Sequence, residues 1–226
     1  MKLLGWAFVL LSFSSIATAK TTPLKIMPLG DSITYGTSYA GSYRVRLEKL
    51  LAEQGITVQF VGSQINGPPE LLSQANEGHG GWKIADIASQ VPGWLATSKP
   101  DIILLLIGTN DIWVRPPSTA PADVTGALSR MQSLIELIRA QSPGVKLVVG
   151  TVPFTALWWN PYVIDYNAAL KTLVEQKAVT DKDLFLVDIY SSLRAEDLVD
   201  GVHPTQSGYD RVAQVWFDFL MAEFEQ

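Results

Sequence analysis

Asp101-Ile-Ile-Leu-Leu-Leu-Ile107 decides the fold class. After Asp101 no polar residue interrupts the run, and it is too short for a typical helix. A continuous apolar strand of this kind suits the centre of a parallel sheet covered on both faces. Four further runs read as strands: Leu24–Leu29, Thr57–Val61, Val145–Val149 and Leu184–Ile189. Between them, apolar residues recur at helical spacing. Tyr43, Leu47, Leu50 and Leu51 form one set, and Leu128, Met131, Leu134, Ile135 and Ile138 a second. Tyr166, Ala169, Leu170 and Leu173 form a third, and Val212, Val215, Trp216, Phe219 and Leu220 the last. Strands alternating with helices predict a three-layer α/β/α sandwich around a central parallel sheet of about five strands.

In such a sheet, ligands bind outside the carboxyl ends of the strands. Ser32 follows the first strand and Gly108-Thr-Asn-Asp111 follows the central one. Thr151-Val-Pro-Phe154 follows the fourth, and Asp200-Gly-Val-His203 comes soon after the fifth. Loops from distant parts of the chain are therefore expected along one edge.

The composition narrows the chemistry. The chain has 226 residues, 47% of them hydrophobic, which suits one domain with a full core. Its net charge of −5 offers no basic footprint for nucleic acid. With no cysteine, both thiol catalysis and disulfides are excluded. His79 and His203 are the only histidines, so a histidine base is one of these two and a histidine-rich zinc site is disfavoured. Asp200 lies three residues before His203 across a glycine, a spacing at which a carboxylate can orient an imidazole. Pro204 biases His203 towards an extended conformation. Gly30-Asp31-Ser32 has two readings, a nucleophile at a tight strand exit or a helix N-cap. Asn110 is either an oxyanion donor or a turn residue. In Glu77-Gly-His-Gly-Gly-Trp82 the glycines would let a backbone N–H approach a ligand, and His79 receives no role.

These blocks together resemble the SGNH hydrolases, the GDSL esterase and lipase family. Gly30-Asp31-Ser32-Ile33 matches the first block, with Ile where the name-giving motif has Leu. Gly80-Gly81-Trp82 is similar to the second, Gly108-Thr-Asn-Asp111 to the third and Asp200-Gly-Val-His-Pro204 to the fifth. The resemblance implies a flavodoxin-like SGNH hydrolase fold over residues 20–226. It makes Ser32 the nucleophile, His203 the base and Asp200 its partner. The oxyanion hole would use the Ser32 N–H, the Gly81 N–H (Gly80 being the alternative) and the Asn110 amide. Asp31, Trp82 and Trp113 are expected to touch substrate.

The wider first block, Gly41-Ser-Tyr-Arg44, Val61-Gly-Ser63 and Glu77–Trp82 are similar to carbohydrate esterase family three, the acetylxylan-esterase-like group. That likeness implies hydrolysis of acetyl esters, with xylan or another carbohydrate as substrate. Family members with similar blocks cleave lipid, aryl or thioester substrates, and a non-catalytic carbohydrate binder could share the fold. No metal and no cofactor is implied. The expected partner is a small-molecule or polysaccharide ester, with a monomeric chain, no nucleic acid and no stable membrane association after leader removal.

Residues 1–19 read as a signal peptide. Lys2 supplies the positive start, Leu3–Ile16 is apolar or small, and Ala17-Thr18-Ala19 fits the cleavage pattern. The expected destination is secreted or periplasmic.

Overall fold

The computed structural model of the chain describes residues 22–114 and 120–224; the expected signal peptide lies outside the described residues. The strands are β1 (Leu24–Gly30), β2 (Val58–Phe60), β3 (Gln64–Ile65), β4 (Ala75–Gly78), β5 (Ile102–Leu106), β6 (Lys146–Gly150) and β7 (Leu184–Val187). The helices are α1 (Ser32–Tyr35), α2 (Arg44–Glu53), α3 (Ile84–Ser98), α4 (Thr109–Ile112), α5 (Val124–Gln141), α6 (Asn160–Ala178) and α7 (Gln206–Phe224).

All five expected strands form, and they pair in parallel. β5 sits between β1 and β6, with Ile26 opposite Ile102 and Ile102 opposite Lys146. The other side of β1 is shared. Its first half pairs with β2 and its end pairs with β4, where Leu29 faces Glu77 and Gly30 faces Gly78. From β1 the chain builds outwards to β2 and β4, then returns to β5 on the opposite side. That reversal is the switch point of a doubly wound sheet, where its binding crevice opens.

The side chains of β5 and of Ile107, which follows it, alternate between two cores. Ile103, Leu105 and Ile107 pack with α3, α5 and α6, whereas Ile102, Leu104 and Leu106 pack with α2 and α7. Every residue of β5 is buried, as its uninterrupted apolar pattern requires.

The expected count of about five strands omits β3 and β4. β4 reads Ala-Asn-Glu-Gly, yet Asn76 and Glu77 are fully buried. Their polar atoms are satisfied by specific hydrogen bonds, so no hydrophobic period marks the strand. β3 pairs antiparallel with β4, which makes the sheet mostly rather than wholly parallel. α3 also lies outside the four helical patterns. Its core stripe of Ile84, Ile87, Val91 and Leu95 is interrupted in sequence by Pro92, a residue that ordinarily breaks a helix interior.

Gly30 is required by close approach. A Cβ there would lie 2.1 Å from the Leu106 carbonyl oxygen of β5 and 2.5 Å from the Thr34 hydroxyl. Gly30→Ala should therefore destabilise the domain by about 1–3 kcal/mol or more through overpacking. Denaturant unfolding checks this, and an unchanged midpoint would contradict the packing described.

Candidate active site

The turn between β1 and α1 carries Asp31 and Ser32. Asp31 caps α1, its Oδ1 accepting the Ile33 N–H at 2.9 Å. Ser32 is the first residue of that helix, where backbone N–H groups lack intrahelical acceptors. The helix-cap reading of this turn falls to Asp31, and Ser32 is left partly exposed.

Ser32 Oγ lies 2.8 Å from His203 Nε2. His203 Nδ1 lies 2.7 Å from Asp200 Oδ2, and the other oxygen of Asp200 accepts the backbone N–H groups of Val202 and His203. Because Asp200 presents an acceptor, the neutral imidazole carries its proton on Nδ1. Nε2 is left to accept from the Ser32 hydroxyl. Burial pushes the Asp200 carboxyl up, but the bonds from His203 and Val202 outweigh it and hold the group below the usual carboxylate range.

The turn carrying this pair is held from two sides. Thr155 Oγ1 and the Ala156 N–H both donate to the Gly201 carbonyl, at 2.7 and 2.9 Å. Ser38 Oγ donates to the Pro204 carbonyl at 2.6 Å. The loop after β6 therefore does reach the site, but through Thr155–Leu157 rather than through Thr151–Phe154. Leu157 lines the cavity beside Ser32, a contribution sequence reasoning missed. Its only signal was its place downstream of a strand end.

A cavity of about 390 Å³ opens over these groups and includes Ser32, Gly80, Gly81, Asn110, Trp113 and His203 in its wall. Gly80 and Gly81 form the centre of a turn closed by the Trp82 N–H donating to the His79 carbonyl at 3.2 Å. Gly81 has φ +79°, the conformation that the third residue of a type II turn demands and that glycine adopts freely. Neither glycine N–H has an acceptor among the described residues. Asn110 Nδ2 donates to the Trp82 carbonyl at 2.9 Å, which orients the amide and leaves its second N–H available.

Asp111, next to Asn110, locks the same two loops together. Its Oδ2 accepts the Ile84 N–H and its Oδ1 accepts Arg130 Nε, both at 2.9 Å. Burial raises the Asp111 pKa, and the Ile84 and Arg130 bonds oppose that rise.

Two of the three expected substrate contacts are placed elsewhere. Asp31 is only 1% exposed and sits beneath the cavity, because capping α1 turns its carboxylate into the protein. Trp82 is outside the cavity lining, its indole stacked on His79 and Trp94. Trp113 does line the cavity and is 38% exposed. Of the remaining tryptophans, Trp159 and Trp216 are core residues, Trp94 packs against the core and Trp158 is exposed. Among the described residues, no group of three or more acidic or histidine side chains is gathered as a metal site, and no helix is long and apolar enough to cross a membrane.

A doubly wound sheet with a serine, histidine and aspartate hydrogen-bonded in series at its switch point belongs to a recognisable class of α/β hydrolytic proteins. More narrowly, the chain belongs to the GDSL-like Lipase/Acylhydrolase family, whose profile matches residues 29–211. The Multidomain esterase of Ruminococcus flavefaciens is 30% identical over 245 residues, covering 92% of this chain and 31% of that protein. The chain thus spans about a third of that relative's length. The family 3 carbohydrate esterase of Clostridium thermocellum superposes with a TM-score of 0.76 at 34% identity, covering 89% of this chain and 98% of that one. A carbohydrate esterase family 3 structure from Talaromyces cellulolyticus gives 0.75 at 26% identity, with the same coverage.

Asp31 supplies a pH-dependent check. Burial raises its pKa from 3.8 to about 6, despite the Ile33 N–H and the nearby His203 charge, which both lower it. Its Oδ2 lies near Thr109 but makes no full hydrogen bond. An acid whose pKa rises on folding binds more protons in the folded state. Stability therefore falls as pH climbs from about 4 to about 6, and stays lower by about 3 kcal/mol above that. Asp31→Asn should raise the thermal midpoint at pH 8, with the gain vanishing near pH 4. Equal midpoints for both proteins at pH 8 would refute the buried charge.

Proposed function

We propose that the chain is a serine esterase that removes short acyl groups, acetyl above all, from carbohydrate. The observation that carries this reading is the hydrogen-bonded series Ser32–His203–Asp200 in the wall of a cavity that also contains Gly80, Gly81 and Asn110.

In the proposed first step, the Ser32 hydroxyl attacks the ester carbonyl while His203 Nε2 takes its proton. Asp200 holds the ring in the tautomer that permits this and supports the imidazolium formed. Negative charge develops on the carbonyl oxygen as it becomes tetrahedral. The Ser32 N–H, a glycine N–H of the 80–81 turn and the free N–H of Asn110 are the donors for it. His203 returns its proton to the departing alcohol, leaving Ser32 acylated. It then takes a proton from water, whose hydroxyl attacks the acyl carbonyl, and returns that proton to Ser32 Oγ as the acid leaves.

A short acyl group suits the apolar wall formed by Leu157, Val202 and Trp113 in a cavity of about 390 Å³. The names of the structural relatives support a carbohydrate alcohol. Trp158, the residue after Leu157, is half-exposed with its ring edge-on to Tyr162, and offers an aromatic surface of the kind that stacks on sugar rings. Lys2, the apolar stretch after it and Ala17-Thr18-Ala19 support export to a periplasm or outside the cell.

Ser32→Ala should abolish turnover of a chromogenic acetate without altering the unfolding curve, and wild-type rates in that variant would sink the assignment. Asn110→Ala should lower kcat by about 10²–10³, the usual effect of losing one oxyanion donor. Across acetylated xylan, longer acyl esters and lysophospholipid, turnover should fall steeply beyond acetyl. A preference for long chains would overturn the carbohydrate part.

A further inference from the structure

Ser63, Glu77 and His79 have no task in the acyl-transfer steps, yet they form one bonded series next to the site. Glu77 is fully buried in β4. Its Oε1 accepts the Ser63 N–H at 2.6 Å and its Oε2 accepts the Ser63 hydroxyl at 2.9 Å. His79 Nε2 lies 2.9 Å from Oε2, so this nitrogen carries a proton and donates to the carboxylate. The imidazole is stacked on Trp82 at 4.2 Å and on Trp94 at 4.8 Å, with interplanar angles of 20° and 9°. One hydrogen bond and two ring contacts thus fix both its position and its tilt.

His79 is also the first residue of the glycine turn, and Trp82 is the last. The His79 N–H donates to the Gly30 carbonyl at 2.9 Å, tying the turn to the end of β1, just before the turn that carries Ser32. The ring stack joins the two ends through their side chains, as the Trp82-to-His79 hydrogen bond joins them through the backbone. Nothing comparable holds the middle. A Cβ at Gly80 or Gly81 would meet no atom within 4 Å. The turn is therefore held from its ends, and the Trp82 end also receives Asn110 Nδ2.

We propose that Glu77 and His79 form a positioning pair that holds the Gly80–Gly81 turn, and through Trp82 the Asn110 amide, in the geometry needed to receive the oxyanion. The proposal rests on the ester-hydrolysis reading above. His79 is outside the cavity lining and is a positioning residue, acting through Trp82 and the glycine turn. A role of this kind acts on the transition state, so its loss lowers kcat more than it raises KM.

The test is steady-state kinetics on 4-nitrophenyl acetate for the wild type, His79→Ala, His79→Gln and Ser63→Ala. Ser32 phosphonylation rates and thermal unfolding are measured on the same samples. In His79→Ala, kcat should fall about 10- to 100-fold with KM changed less than about threefold, and phosphonylation should slow in parallel. His79→Gln, whose amide nitrogen reaches towards Glu77, should recover part of the loss. Ser63→Ala lies outside the cavity and keeps one bond to Glu77, so it should stay folded with a smaller drop in kcat. An active wild type whose folded His79 variants keep kcat within about twofold, or lose only KM, would overturn the pair and leave the esterase reading standing. If His79→Ala does not fold, His79→Gln and Ser63→Ala decide, and unchanged kcat in both overturns the pair. A wild type inert to both ester and phosphonate would overturn the esterase reading and this role with it.

Discussion

The parallel contact between β1 and β5 is the constraint on which the site depends. Gly30 faces Leu106 in register, and the absence of a Cβ at Gly30 lets the two strand ends approach. The turn carrying Ser32 and the turn carrying Asn110 then leave the sheet side by side. β4 completes the arrangement from the opposite flank, pairing Gly78 with Gly30 and delivering His79, Gly80 and Gly81 to the same edge. Three short turns are thereby held against one another by the backbone of a buried sheet. A site built this way inherits the rigidity of the core rather than that of its loops.

Charge is distributed around this edge at some cost to stability. Asp31 is buried and short of partners, and Asp111 is buried but answered by Ile84 and Arg130. Asp200, by contrast, stands near the surface and is held ionised by three donors. The carboxylate that faces the imidazole is thus the one whose charge is secured by hydrogen bonds. Asp31 lies close enough for its charge and that of His203 to favour each other.

The layers of the fold were legible because burial on two faces leaves a simple mark. Asp101–Ile107 and the other apolar runs correspond to β1, β2, β5, β6 and β7 in the expected order. β4 escaped because its buried residues are polar and are satisfied one by one, which produces no periodic pattern. α3 escaped because Pro92 conceals an otherwise regular stripe. At the site, Ser32, Asn110, Asp200 and His203 were legible as residue types at strand ends, and the structure brings all four to one cavity. Asp31 and Trp82, expected at the substrate, are outside the cavity lining, because adjacency in sequence to a lining residue does not determine which way a side chain turns. Capping draws Asp31 inwards, and stacking draws Trp82 onto His79 and Trp94.

By itself, the sequence determined the layered sheet, the edge at which its loops gather and the small set of residues able to do chemistry there. Hydrophobic period and residue type are local properties, and they survive being read one segment at a time. Only the tertiary structure decided that Leu157 lines the cavity, that Asp31 lies beneath it, and that Ser63, Glu77 and His79 join into one hydrogen-bonded series. Those facts depend on strand register, on the packing of helices on the sheet and, for Asp31, on which residue of the turn caps α1.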